Sequence, residues 1–145
     1  MSNVRPHNMP YALTFQLETH VPDSDKYIND CCIGGDLVLD QLEPILRTQY
    51  EEVQANQEDW GWFAWTEDNG VKLAVDIFND DPKTMSFTVH ITGRKARWVL
   101  PDRVEDTLEL EVLKNTVVNA VRALPVRELK VEQVDAKYLP LSGVA

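Results

Sequence analysis

An Asn-Gly pair, Asn69-Gly70, separates two apolar runs that each alternate with a period of two: EDWGWFAWTED before it and VKLAVDIFN after it. A two-residue type I′ turn requires positive φ at both central positions, and Asn-Gly supplies them at the lowest steric cost. The turn also sets the pairing, because a slip of one residue would carry a strand's whole apolar set to the wrong face. Glu67 is therefore expected opposite Lys72, Trp65 opposite Ala74, Phe63 opposite Asp76, and Trp62 opposite Ile77. Opposed residues share a sheet face. One face collects Trp62, Ala64, Val71, Leu73, Val75 and Ile77, with Trp60 at its end, and reads as the core face. The other collects Phe63, Trp65, Ala74, Asp76 and Phe78 with the Glu67–Lys72 pair. Gly61 leaves a gap there opposite Phe78, where an aromatic ring can lie across the strand.

The remaining pattern builds a layered domain around this hairpin. Tyr11, Leu13, Phe15 and Leu17 alternate with Ala12, Thr14, Gln16 and Glu18, which predicts a half-buried strand. A turn-rich connection leads to a helix capped by Asp36, with Leu39, Leu42, Ile45, Leu46 and Tyr50 on one stripe. Pro44 lies inside that helix and predicts a kink or a late start. Strands are expected at 60–68, 71–79 and 86 to about 93, with RKARWVL extending the last of them after a break at Gly93. Phe87, Val89 and Ile91 then continue the core face, while Thr88, His90 and Thr92 join the second face and place His90 opposite Asp76. A second helix runs from Asp106 to Leu124, stopped by Pro125, and VRELKVEQV forms a final strand. The order β-α-β-β-β-α-β predicts an α+β, two-layer sandwich, a largely antiparallel sheet with two helices on one face. Residues 1–145 form one domain, with 1–10 and 137–145 as loosely ordered tails; this length is enough to bury a core without staples.

Charge is unevenly placed. The net charge is −10, and residues 36–81 alone carry it, with twelve acids against Arg47 and Lys72. Residues 83–103 are locally basic, through Lys83, Arg94, Lys95, Arg97 and Arg103 against Asp102. A field of this sign repels phosphate backbones and favours basic partners, so nucleic acid is not an expected ligand. No apolar run reaches the length of a membrane span, and MSNVRPHNMP lacks the apolar core of a secretory signal. A cytoplasmic address is expected, and no membrane partner. Cys31 and Cys32 are adjacent and read as two reduced thiols at a helix entry.

Chemical motifs are sparse. The Asp76–His90 pair has the makings of an acid–base site, since a carboxylate orients an imidazole and raises its pKa. No serine or cysteine nucleophile is placed beside it, however, and an ordinary cross-strand ion pair is the favoured reading. His7, His20 and His90 are scattered without zinc spacing. Asp76, Asp80 and Asp81 lack the ligand periodicity of a calcium loop. Pro101-Asp102 and Glu128-Leu129-Lys130 spell the halves of a nuclease pattern, but a whole helix separates them. Gly34-Gly35 lacks the spacing and the lysine of a phosphate loop. No catalytic residue, metal or cofactor is expected, and binding is favoured over catalysis. The expected binding residues are Phe63, Trp65 and Phe78 as apolar anchors, Asp76 and His90 beside them, and Glu58 and Asp59, with Glu51 and Glu52, steering a basic protein partner or a second copy of the chain. The alternative is a small-molecule-binding protein or enzyme with a concave pocket on the same face around Trp65, Asp76 and His90.

The run IGGDLVLDQLEPILRTQYEEV followed by EDWGWFAW, within residues 33–80, resembles small uncharacterised bacterial proteins with a Gly-led helix and an acidic-Trp-Gly-Trp strand. That resemblance implies no activity, cofactor or catalytic residue. Through the same features the chain loosely resembles the small acidic immunity proteins of bacterial toxin systems. The second resemblance would imply a stoichiometric inhibitor that covers a basic toxin surface.

Overall fold

Asn69 and Gly70 take φ of 51° and 78°, the doubly positive turn that the hairpin requires. In the computed structural model the strands it joins, β3 (Gly61–Asp68) and β4 (Val71–Asp81), pair as expected, with Trp62, Phe63, Trp65 and Glu67 opposite Ile77, Asp76, Ala74 and Lys72. The structure describes residues 10–22, 24–97, 100–104 and 107–135, with only the backbone for 96, 97 and 100–104; apart from Pro10 the expected tails lie outside this set. The other elements are β1 (Tyr11–Leu17), α1 (Gly35–Gln49), β2 (Gln54–Glu58), β5 (Ser86–Arg97), β6 (Leu100–Val104), α2 (Leu108–Arg122) and β7 (Val126–Gln133). Among the described residues the sheet has seven antiparallel strands in the order β2-β3-β4-β5-β1-β7, with β6 also paired to β5.

The fold is the expected α+β sandwich, a single antiparallel sheet with α1 and α2 on one face. Helix α1 packs on β3 and β4, α2 on β4, β5 and β7, and the helices touch each other. Between the layers lie Leu13, Phe15, Leu73, Val75, Ile77, Phe87, Val89 and Ile91 from the sheet, with Leu42, Leu46, Leu110, Leu113 and Val117 from the helices, all nearly inaccessible to water. Each buried side chain of this size contributes about 1.5–3 kcal/mol, so this layer supplies most of the drive to fold. No helix among the described residues is long and apolar enough to cross a membrane.

Several expectations are corrected. Trp60 is not on the core face; it sits in the β2–β3 turn and packs on the outer face, 5.3 Å from Phe78. Gly61, with φ of 151°, redirects the chain there, and a Cβ at this position would lie 2.1 Å from the Ile77 carbonyl oxygen. Helix α1 is entered through Gly34 (φ 79°), not capped by Asp36. Asp36 is instead buried in the first turn, accepting from Lys26 Nζ and Tyr27 Oη, each at 2.7 Å. The helix runs unbroken across Pro44 without a late start, and Ile45 is exposed rather than buried. Helix α2 is capped by Thr107, whose hydroxyl accepts from the Leu110 N–H at 3.1 Å; Asp106 lies outside the described residues. Strand β5 does not break at Gly93. Helix α2 crosses close by at this glycine, with the Leu110 Cβ 3.3 Å from where a Cβ would sit, a tight contact. Strand β2 was not anticipated, since Gln54-Ala55-Asn56-Gln57-Glu58 carries no apolar alternation.

Candidate binding site

The face away from the helices is organised by cross-strand rows. One row runs Gln54–Trp65–Ala74–Thr92, the next Asn56–Phe63–Asp76–His90, and on the other side lies Glu67–Lys72–Arg94. The aromatic rings form a continuous chain over it. Trp65 stacks on Phe63 at 4.1 Å, Phe63 lies 6.4 Å from Trp60, Trp60 5.3 Å from Phe78, and Phe78 meets His90 edge-on at 5.0 Å. Contacts at these separations add about 0.5–1.5 kcal/mol each beyond simple burial. The chain covers itself: Phe63, flanked by two indoles, is only 7% exposed and is not the accessible anchor expected. Phe78 and Trp60 are half-buried, while Trp65 remains 40% exposed.

Trp65 also borders a concavity of about 460 Å³ whose floor is made by Ala74 and Thr92 and whose sides include Asp76, Glu67, Lys72 and Arg94. Glu52 and Gln54 close the margin next to β2. The small Ala74 side chain, between Trp65 and Thr92 in its row, opens the hollow. The indole orientation is fixed, because Trp65 Nε1 donates to Asp76 Oδ1 at 3.0 Å. Burial pushes the Asp76 carboxyl above its ordinary pKa, while the Trp65 hydrogen bond and the Arg94 charge pull the other way.

His90 lies directly opposite Asp76, as expected. The two do not behave as a charge-coupled pair: burial lowers the imidazole pKa, opposed by the Asp80 carboxylate, while Asp76 is raised. An acid–base dyad or an ion pair would move each group the other way. The raised-pKa histidine considered from sequence is therefore corrected to an imidazole whose pKa burial lowers and whose ring packs edge-on against Phe78.

Glu58 and Asp59 are exposed at the β2–β3 turn and do not line the concavity; their backbone carbonyls accept from Cys32 Sγ and from Asn29 Nδ2. Sequence reasoning put Ala74, Thr92, Glu67 and Lys72 on the correct face without selecting them, and it missed Arg94. The Thr88, His90, Thr92 alternation continues to Arg94 once Gly93 is read as a close-packing residue instead of a break. Gln54 carried no signal.

Elsewhere the chemical inventory is short. Cys31 is exposed and Cys32 buried, both as free thiols. Among the described residues no group of three or more His, Cys, Asp or Glu side chains is arranged to hold a metal ion. The nuclease-like halves fall on β6, paired to β5, and on β7, paired to β1, so among the described residues no ladder joins them. No family model matches the chain, and neither the curated proteins nor the solved structures provide a match.

Proposed function

We propose that this chain is a non-catalytic interaction domain of the cytoplasm that binds a basic protein partner through the outer face of its sheet. The observation that carries this reading is Trp65: an indole 40% exposed, held in one orientation by Asp76, beside a hollow of about 460 Å³ on the sheet face away from the helices. Preorganised aromatic anchors of this kind dominate protein interfaces, because little side-chain entropy remains to be lost on binding. The acidic stretch 36–81 supports attraction of a basic partner, and an immunity-like inhibitor is one form such a domain can take. The free thiols Cys31 and Cys32 fit a reducing compartment.

A second reading, a small-molecule binder, is favoured by one observation. The hollow has a volume within the range of roughly 300–1,000 Å³ common for such sites. The two are separated by experiment. Partners retained by the protein are identified, purified and titrated against wild type and Trp65→Ala, with circular dichroism confirming that the variant is folded. Loss of binding in Trp65→Ala is the expected result. Equal affinity for both overturns the reading, and a metabolite that changes tryptophan fluorescence in the absence of any protein partner replaces it with the second.

A further inference from the structure

The charges around the hollow are not balanced. Glu52, Glu67 and Asp76 line it against Lys72 and Arg94, three carboxylates against two cations. Lys72 stands between Glu67 and Arg94 in its row, four residues along β4 from Asp76, and the Arg94 charge acts on Asp76 without donating a hydrogen bond to it. Residues four apart on a strand are separated by about 13 Å. Asp76 itself is half-buried, yet only its Oδ1 is engaged, by Trp65; its second oxygen has no hydrogen-bond donor among the described residues. A partly desolvated carboxylate with one oxygen unused is costly to keep, and the cost is relieved when a charged donor reaches that oxygen. The adjacent surface is the exposed Trp65 ring, whose face attracts cations.

Taking these together, and building on the proposed interaction face, we propose that the hollow receives an arginine side chain of the partner, its guanidinium stacked on Trp65 and donating to the free oxygen of Asp76. A planar guanidinium suits the site better than an ammonium: it stacks flat on the indole while an edge N–H reaches the carboxylate. Thr92 and Ala74 shape a floor without a bulky side chain to obstruct the ring, and the acidic segment draws a basic surface toward it.

The test uses the Trp65 indole N–H as reporter, identified in an NMR spectrum by its disappearance in Trp65→Phe. N-acetyl-arginine amide, the lysine analogue and the glutamate analogue are titrated separately into the full chain. The arginine compound should shift this resonance at lower concentration than the lysine compound, and glutamate should leave it unmoved. Asp76→Asn keeps an acceptor for the indole N–H but removes the charge, and should weaken arginine binding about tenfold, as expected for a hydrogen bond to an ionised group. A stronger response to glutamate, or arginine binding undiminished in Asp76→Asn, overturns the inference. If the arginine compound fails while a Trp65-dependent protein partner is retained, this inference falls and the reading of the face stands. If neither binds, both fall.

Discussion

Replacing Gly61 by alanine tests the part of the architecture on which the outer face depends. The new Cβ would stand 2.1 Å from the Ile77 carbonyl oxygen, whereas real Cβ atoms keep at least 3.0 Å from such neighbours. The obstacle is backbone, so β3 and β4 must separate by roughly an ångström at that end, weakening a ladder hydrogen bond worth about 1–3 kcal/mol when its carbonyl is left buried. The φ of 151° adds about 1–3 kcal/mol for any residue other than glycine. Together the loss is about 2–6 kcal/mol, a large part of the 5–15 kcal/mol typical of domain stability. With a urea m-value of about 2 kcal/mol/M, the unfolding midpoint followed by tryptophan fluorescence should fall by about 2 M. Gly70→Ala is the control: its φ is also positive, at 78°, but nothing lies within 4 Å of its Cβ, so it should cost only about 1–2 kcal/mol. If both variants lose the same stability, the collision with Ile77 is not real and the placement of Trp60 over the outer face loses its cause.

Other outcomes follow from individual contacts. Asp36→Ala should cost about 2 kcal/mol in urea unfolding, because it strips a buried acceptor from Tyr27; Lys26→Ala should cost measurably less, since the ammonium is more than half exposed, and equal losses would place the anchor in the ion pair. Burial raises Asp76, so its unfavourable contribution grows as pH rises above the ordinary carboxylate value of 3.8 toward the folded value. The stability gained by Asp76→Asn should accordingly be larger at pH 7 than at pH 4, and a gain that shrinks with pH would refute the burial argument. His90 has the opposite sign: its folded pKa is lowered, so stability is retained above 6.5 and lost as pH falls through the folded value. An NMR titration should find the imidazole midpoint below 6.5; a midpoint above it would restore the carboxylate-coupled histidine.

The amino-acid sequence by itself determined the central hairpin, its register and the two faces it creates. The reason is local: Asn69-Gly70 admits one turn, and strict alternation ties each side chain to one face. The same alternation carried the register through Phe87, Val89 and Ile91 and set His90 opposite Asp76. Helix stripes were legible for a similar reason, with Leu110, Leu113, Val117 and Val121 all buried in α2. Only the tertiary structure decided which outer-face aromatics are accessible, since Phe63 is hidden by Trp60 and Trp65, rings that periodicity assigned to different faces or left uncovered. It also decided that Gly93 is a crossing point for α2 instead of a strand end, bringing Arg94 to the hollow, and that Asp36 is a buried acceptor instead of a cap. Turns and alternation act between neighbours in the chain or across one ladder, whereas exposure and solvation sum over residues distant in sequence, and no short window holds that sum.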